Sequence, residues 1–176
     1  MKIYISADIE GVTGITHWDE TEKTKSDYQK FAKQMTNEVK AACEGAIKAG
    51  AKEIWIKDAH DTGRNIIAAE LPQMIKLVRG WSEHPYLMVQ ELDESFDALL
   101  MIGYHSFGSS SSNPLSHTLS SSTLNYIKLN GEYASEFLIH GYAAATIGVP
   151  VVFISGDEGI CKEANKVNKN IKTVAV

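Results

Sequence analysis

Short apolar runs alternate with longer amphipathic stretches along this chain. Runs rich in Ile, Val and Leu predict buried strands, whereas apolar residues recurring every three or four positions predict helices. Strands are predicted at residues 2–7, 53–60, 75–80, 86–90, 97–105 and 149–157, with another beginning in the closing KTVAV. Helices are predicted from Ser26 to Gly50, from Glu132 to Ile147 and from Glu158 to Asn168. This alternation predicts an α/β domain with a mostly parallel sheet flanked by helices.

The long helix has sequence signals at both ends. Ser26 and Gln29 have the spacing of a capping box, with Ser26 at the N-cap. Gly50 supplies the stop. Between them, apolar residues recur at helical steps. They are Phe31, Met35, Val39, Ala42, Cys43, Ala46 and Ile47.

Length and composition indicate an ordinary globular protein. The 176 residues suit a single domain spanning 1–176, with 44% hydrophobic and 22% charged residues. A net charge of −5 gives no reason to expect a nucleic acid or an anionic membrane as partner. No apolar run approaches the roughly 20 residues that span a bilayer, and the first residues do not resemble a signal peptide. Cys43 and Cys161 form no disulfide framework, so we expect a cytoplasmic protein.

Acidic and imidazole side chains follow four of the predicted strands. In chain order they are Asp8 and Glu10, Asp58 and His60, His105, and Asp157 and Glu158. Because ligands of parallel α/β sheets bind at the carboxyl ends of the strands, we expect these groups to converge there and to form an active site. A helical residue facing the same edge, such as Glu136 or His140, could join them.

The first of these strands carries the least ordinary pattern. In an extended chain Asp8 and Glu10 would point to the same face, and adjacent buried carboxylates either share a proton or bind a cation. Gly11 would let the backbone turn away beside them. Structural alternatives exist for every candidate: a cap for Asp8, a loop imidazole for His60, a core histidine for His105 and a helix-surface pair for Glu136 with His140.

A serine-rich segment follows His105. Residues 106–122 contain nine serines among 17 positions, which is typical of a flexible surface loop. Loops of this length are uncommon in compact domains and are often functional, so we favour a function for the segment and for its His117. His17 and His84 lie in turn-like contexts, and we interpret both as structural or solvated.

The combined set of carboxylates and imidazoles, without thiolates, suits Zn²⁺, with Mn²⁺, Co²⁺ and Fe²⁺ as competitors. About five ligands exceed the needs of one catalytic zinc and suit two metals bridged by a carboxylate, about 3.5–4 Å apart. Such a pair polarises a carbonyl and activates water. The pattern of residues alone therefore predicts a metal-dependent hydrolase.

The motif SADIEG resembles the SxDxEG signature of the zinc-dependent D-aminopeptidases. The similarity continues in order through KDAHD, IGYHS, LSHTL, SEFLIHGY and VPVVFISGD, so it covers essentially all of residues 1–176. The resemblance implies that Asp8 bridges two zinc ions. It assigns Glu10 and His60 to one zinc and His105 and Glu136 to the other.

The resemblance implies further properties. His117 would be a catalytic residue beyond the metals, acting as an acid–base group, an oxyanion stabiliser or a nucleophile. The substrates would be short peptides, such as D-Ala dipeptides, losing their N-terminal residue. The subunits would assemble as a ring-shaped decamer, and family members would extend beyond the TVAV segment with which this sequence closes. The serines at 109–112 differ from the family's loop.

Two other functions stay open at this point. One is a different amide or phosphoester hydrolysis on the same metal pair; Arg64 and Arg79 are the only arginines, and no Gly-rich phosphate cradle is evident. The other is a metal-stabilised assembly module without catalysis.

Overall fold

A six-stranded parallel sheet organises the computed structural model, which describes residues 1–176. The order of its strands is β3-β2-β1-β4-β7-β8. These strands are β1 (Lys2–Ala7), β2 (Glu53–Asp58), β3 (Ile75–Val78), β4 (Ala98–Tyr104), β7 (Val151–Gly156) and β8 (Lys172–Ala175). The predicted α/β class with a mostly parallel sheet is therefore confirmed.

The strand order reverses between β1 and β4, which are direct neighbours. From β1 the chain continues through β2 to β3 on one side, and from β4 it continues through β7 to β8 on the other. Loops leaving the carboxyl ends of such a central pair diverge, and the crevice between them is where ligands of doubly wound sheets bind.

Helices cover both faces of the sheet. Helix α1 (Tyr28–Lys48) packs its buried Met35 and Val39 in one core with Ile3 and Ile5 of β1. Helices α2 (Glu136–Thr146) and α3 (Glu158–Val167) share the second core, on the other face. Burial on both faces explains why the strands are nearly continuous apolar runs. No helix is both long and apolar enough to cross a membrane.

Two predicted elements are wrong. Residues 86–90 do not form a strand; Leu87–Val89 is a single turn of 3₁₀ helix. The helix predicted from Glu132 begins only at Glu136, where Ser135 caps it by accepting a hydrogen bond from the Leu138 amide. Ahead of it, β5 (Lys128–Leu129) and β6 (Glu132–Tyr133) form a hairpin. The helix starts later than predicted because the Asn-Gly sequence between these strands, with both residues at positive φ, strongly favours a tight hairpin turn.

The predicted capping box of the long helix is also wrong. Helix α1 begins at Tyr28, and its N-cap is Asp27, which makes no side-chain cap hydrogen bond. The Ser26 hydroxyl instead donates to the Asp27 carboxylate, at 3.2 Å. The predicted stop is confirmed, because Gly50 follows the C-cap residue Ala49 and has a left-handed φ of 93°.

Two glycines let the chain segment after β1 pack closely against the end of β4. The Asp8 amide donates to the Ile102 carbonyl at 2.8 Å, and the Gly11 amide to the Gly103 carbonyl at 2.9 Å. A Cβ on Gly11 would overlap the Tyr104 carbonyl, and one on Gly103 would overlap the Asp8 carbonyl. Gly11 is therefore required for this close backbone approach rather than for the turn expected from the sequence.

We predict that Gly11→Ala destabilises the fold, because its methyl group has no space beside the backbone of β4. Overpacking of this kind costs about 1–3 kcal/mol in the free energy of unfolding. The matched control is Gly45→Ala in the exposed part of α1, where a Cβ meets no atom within 4 Å and should stabilise by about 0.5–1 kcal/mol. Denaturant unfolding in the presence of a chelator separates the two. A Gly11→Ala protein as stable as the wild type would contradict this packing argument.

Candidate metal centre

Six of the side chains singled out from the sequence, five from strand ends and loops and one from the start of α2, converge at the β1–β4 crevice. They form two groups of potential metal ligands, namely Asp8, Glu10 and His60, and His105, His117 and Glu136. Within each group the ligand atoms lie within 4.8 Å of one another. All six side chains are buried except that of His117, which is 13% exposed. Neither group includes a thiol.

The two carboxylates after β1 meet in a different way from that expected. The strand ends at Ala7, and the Val12 amide closes a turn on the Ile9 carbonyl at 3.0 Å. Asp8 and Glu10 therefore converge because the chain turns, not because they alternate along an extended strand. Both reach His60, whose Nδ1 lies 3.4 Å from Asp8 Oδ1 and 3.2 Å from Glu10 Oε2.

Asp8 also faces the second group. Its Oδ2 lies 3.5 Å from Nε2 of His105, which is 3.3 Å from Glu136 Oε2. The remaining Glu136 oxygen, Oε1, lies 3.6 Å from Nε2 of His117. The imidazole rings of His105 and His117 stack with centroids 4.3 Å apart. One carboxylate thus presents a separate oxygen to each group of ligands.

All three imidazoles use their other nitrogen on the backbone. His60 Nε2 lies 3.0 Å from the Thr21 carbonyl, His105 Nδ1 lies 3.0 Å from its neighbour's carbonyl, and His117 Nδ1 lies 2.9 Å from the Leu115 carbonyl. Carbonyls only accept, so each ring donates its N–H to the backbone. In the neutral ring the nitrogen facing the carboxylates then carries a lone pair, as in histidines that bind metals.

Lone pairs and carboxylate oxygens that face one another repel unless a cation or protons lie between them. Glu10 Oε2 and His105 Nε2 are buried and have no hydrogen-bond partner. Such orphaned polar atoms are costly in a protein interior. This mixed nitrogen and oxygen donor set, with its second nitrogens already fixed, fits a divalent transition metal such as zinc.

Protons compete with a metal ion for the nitrogen and oxygen atoms of these side chains. Burial lowers the pKa of His105, but the negative charge of Glu136 more than offsets this effect and raises the pKa to about 10. Burial likewise opposes ionisation of Glu136, yet His105 holds its pKa at about 2. Burial and the charge of Glu10 raise the pKa of Asp8 well above its usual value. A metal ion that binds at this site would therefore displace protons.

Two other strand-end carboxylates have structural roles. Asp58 accepts hydrogen bonds from the Asn65 side chain at 2.8 Å and from the Ile66 amide at 2.7 Å, which shapes the loop after β2. Asp157 caps α3 through the Ile160 amide at 2.9 Å and also accepts from Ser106. The sequence predicted that both carboxylates would join the site, and neither is among the two groups of potential ligands.

The remaining candidates also lie outside the two groups. Glu158 is exposed and pairs with Lys162, at 2.7 Å. His140 is buried, and its Nδ1 bonds the carbonyl one helical turn earlier, at 2.7 Å. His17 and His84 accept hydrogen bonds from nearby backbone amides in turns, as interpreted from the sequence.

The serine-rich segment is a loop without regular secondary structure, and part of it is anchored beneath the site. Asn113, buried, donates to the Glu10 carbonyl at 3.1 Å, and Thr118 donates to the Ala134 carbonyl at 2.9 Å. The Leu119 amide donates to Glu136 Oε1 at 2.8 Å and so orients a candidate ligand. These contacts favour the functional interpretation of the loop. Asn113 escaped the sequence analysis because a lone Asn gives no signal of its partner.

A cavity of about 460 Å³ opens beside the candidate ligands. Its walls include Trp81, Leu87, Met88 and Leu119, none of which the sequence analysis singled out. Leu87 and Leu119 have left-handed backbones, with φ of 43° and 64°. That conformation costs a non-glycine residue about 1–3 kcal/mol, and strain of this kind clusters at functional sites. A smaller, polar cavity of about 260 Å³ is lined by Ser120, Ser121 and Ser122 together with some of the same ligands.

Comparison with known proteins identifies the family of this chain. Residues 1–176 match peptidase family M55, described as D-aminopeptidase. The chain belongs to this family. The resemblance inferred from SADIEG and the later motifs is therefore confirmed.

Two relatives illustrate the match. The D-aminopeptidase of Bacillus subtilis strain 168 is 29% identical over 176 residues, which is all of this chain and 63% of the relative. The solved structure described as the Zn-dependent D-aminopeptidase DppA from Bacillus subtilis, a self-compartmentalizing protease, superposes with a TM-score of 0.91 at 28% identity. It too is covered over 63% of its length.

We predict that zinc raises the Tm of chelator-treated protein, because a cation removes the repulsion among the buried carboxylates. A ligand at 100 times its Kd stabilises by about 2.7 kcal/mol. Asp8→Asn should abolish most of the shift, since Asp8 faces both groups. Glu158→Gln, which changes a carboxylate at the start of α3 outside the site, should keep the shift.

Differential scanning fluorimetry with and without zinc measures these shifts. A full zinc-induced shift in Asp8→Asn, or none in the wild type, would contradict the assignment of the centre.

Proposed function

We propose that this chain is a metal-dependent aminopeptidase that removes an N-terminal D-amino acid from short peptides at a centre holding two zinc ions. The observation that carries the proposal is the position of Asp8, whose two oxygens face two separate groups of ligands 3.4–3.5 Å away. Family membership and a relative described as a Zn-dependent D-aminopeptidase support the substrate class.

The proposed ligands divide between the two ions, with Asp8 shared. Glu10 and His60 complete one set, and His105 and Glu136 complete the other. When bound, a zinc pair polarises the scissile carbonyl and makes a water nucleophilic near neutral pH. The chain's own contribution is to fix the imidazoles through backbone carbonyls and to keep the carboxylates buried.

His117 differs from the proposed ligands in exposure, because its side chain is 13% exposed and borders the cavity. Its Nδ1 is committed to the Leu115 carbonyl, and its ring stacks on His105. The free Nε2 can therefore hold a proton, donate it to the leaving amine or stabilise the oxyanion. We propose this catalytic role for His117. Because its Nε2 lies 3.6 Å from Glu136 Oε1, the alternative role for His117 is that of a metal ligand.

Charge around the centre favours a substrate with a free amine. Beyond the proposed ligands, Asp61 and Glu22 also line the cavities. An acidic surround attracts a cationic α-amino group and repels a phosphoester. We therefore prefer peptide hydrolysis to the phosphoester alternative and to an assembly module without catalysis.

We also propose that the protein forms homo-oligomers, because the related Bacillus subtilis enzyme is described as self-compartmentalizing. A decameric ring and a cytoplasmic location stay predictions. We expect neither a nucleic acid nor a membrane as partner, given the net charge of −5.

We predict zinc-dependent release of D-Ala from D-Ala-D-Ala, lost after chelation and restored by added zinc. His117→Ala should lower kcat by about 10²–10⁴-fold, the usual contribution of a positioned acid–base group, while keeping two zinc ions per chain. His84→Ala, a histidine in a turn outside the cavity, is the matched control and should keep both properties.

Coupled amino-acid detection measures turnover, and elemental analysis of the desalted protein measures zinc. Loss of one zinc ion in His117→Ala would make His117 a ligand and contradict its catalytic assignment. Absence of turnover on D- and L-dipeptides by the zinc-loaded wild type would contradict the proposed function.

A further inference from the structure

One wall of the cavity beside the metal centre is apolar, and the proposed chemistry does not use it. This apolar wall consists of Trp81, Leu87, Met88 and Leu119. Trp81 is 43% exposed, and both leucines are 41% exposed. Covering exposed hydrocarbon surface with a ligand is energetically favourable, and an exposed apolar patch often marks a binding site. The cavity volume of about 460 Å³ falls within the range of about 300–1,000 Å³ usual for small-molecule sites.

Leu87 is held rigidly in this wall. It opens the 3₁₀ turn Leu87–Val89, in which Met88 is buried and its carbonyl accepts a hydrogen bond from the Ser6 hydroxyl at 2.7 Å. Ser6 belongs to β1, so the turn is fastened to the centre of the sheet. The left-handed φ of 43° at Leu87 disfavours a bulky side chain, yet a leucine stands there and faces the cavity. Strain that a surrounding framework maintains is typical of ligand clamps.

Trp81 is fixed just as firmly. Its indole N–H donates to the Asp61 carbonyl at 2.6 Å, and Lys57 Nζ lies 3.8 Å from the ring centroid. Lys57 is fully buried and donates to the carbonyls of Asp58 and Gly80, at 2.6 and 2.7 Å. The cation–π contact therefore comes from an amine that two hydrogen bonds hold against the ring. A preorganised aromatic wall loses little entropy when a ligand packs against it.

We propose that the apolar wall is the subsite for a large hydrocarbon side chain on the substrate's N-terminal residue, so that D-Leu or D-Phe is preferred there over D-Ala. The proposal takes its substrate class from the proposed aminopeptidase function. In such a substrate this side chain branches from the carbon between the amine and the scissile carbonyl. Both of those groups must reach the metal centre, so this side chain is the one carried into the adjoining cavity.

The test measures binding separately from hydrolysis. Isothermal titration calorimetry of the zinc-loaded protein compares D-leucine hydroxamate with D-alanine hydroxamate, two ligands that differ only in the side chain. We expect at least about tenfold tighter binding of the leucine compound, the lower end of what one extra methylene contributes in an apolar pocket. The kcat/KM of D-Leu-D-Ala should exceed that of D-Ala-D-Ala by a similar factor.

Leu87→Asn tests the wall itself. Asn tolerates a left-handed backbone and is polar, so the variant should have a raised Tm while the preference for the leucine compound falls about tenfold. The matched control is Leu124→Asn, a leucine that is 40% exposed and does not line the cavity. It should leave the preference unchanged.

Equal binding of the two hydroxamates, or binding of neither, overturns the proposal. An unchanged preference in Leu87→Asn also overturns it, and a simultaneous change in oligomeric state would then assign the wall to subunit contact. A leucine preference in binding without hydrolysis of any dipeptide supports the subsite and refutes the proposed peptidase function instead.

Discussion

Three carboxylates are buried together at one end of a parallel sheet, and their negative charge must be compensated. The surrounding structure depends on this constraint. Asp8, Glu10 and Glu136 are each at most 4% exposed. An uncompensated buried ion costs several kcal/mol, so such a cluster persists only with protons or cations between its members. The imidazoles that face it donate their N–H groups away to backbone carbonyls. The lone pairs of the imidazoles and the carboxylate oxygens therefore face one another, which is the arrangement of a cation site.

The fold supplies this arrangement at its topological switch point. β1 and β4 end side by side, and the glycines at 11 and 103 let the segment after β1 contact the end of β4. The same point receives the loop after β2, the first turn of α2 and the long serine-rich loop. Residues far apart in the sequence thus reach one crevice, and only Asp8 and Glu10 share a short motif. The surrounding hydrogen bonds, such as that of Asn113 to the Glu10 carbonyl, tie the loops to the ligands they support.

The sequence predicted the features that depend on residue type and on the periodicity of apolar residues, namely most strands and helices and the groups at the strand ends. Strand ends rich in Asp, Glu and His were recognisable because these side chains rarely follow buried strands without a partner. Residues 86–90 looked like a strand because Met88 and Val89 are apolar and buried, but the strained turn at Leu87 depends on tertiary contacts with β1. The hairpin before α2 was missed although its Asn-Gly turn was visible. The apolar wall was unpredictable, because tryptophan and leucine are ordinary core residues until their neighbours are known.

Anomalous diffraction at the zinc absorption edge, on crystals of the zinc-loaded protein, tests the account most directly. We expect two peaks about 3.5–4 Å apart, each about 2.0–2.2 Å from a different oxygen of Asp8. Glu10 and His60 should contact one peak, and His105 and Glu136 the other. A single peak, or peaks that Asp8 does not join, would contradict the two-metal centre.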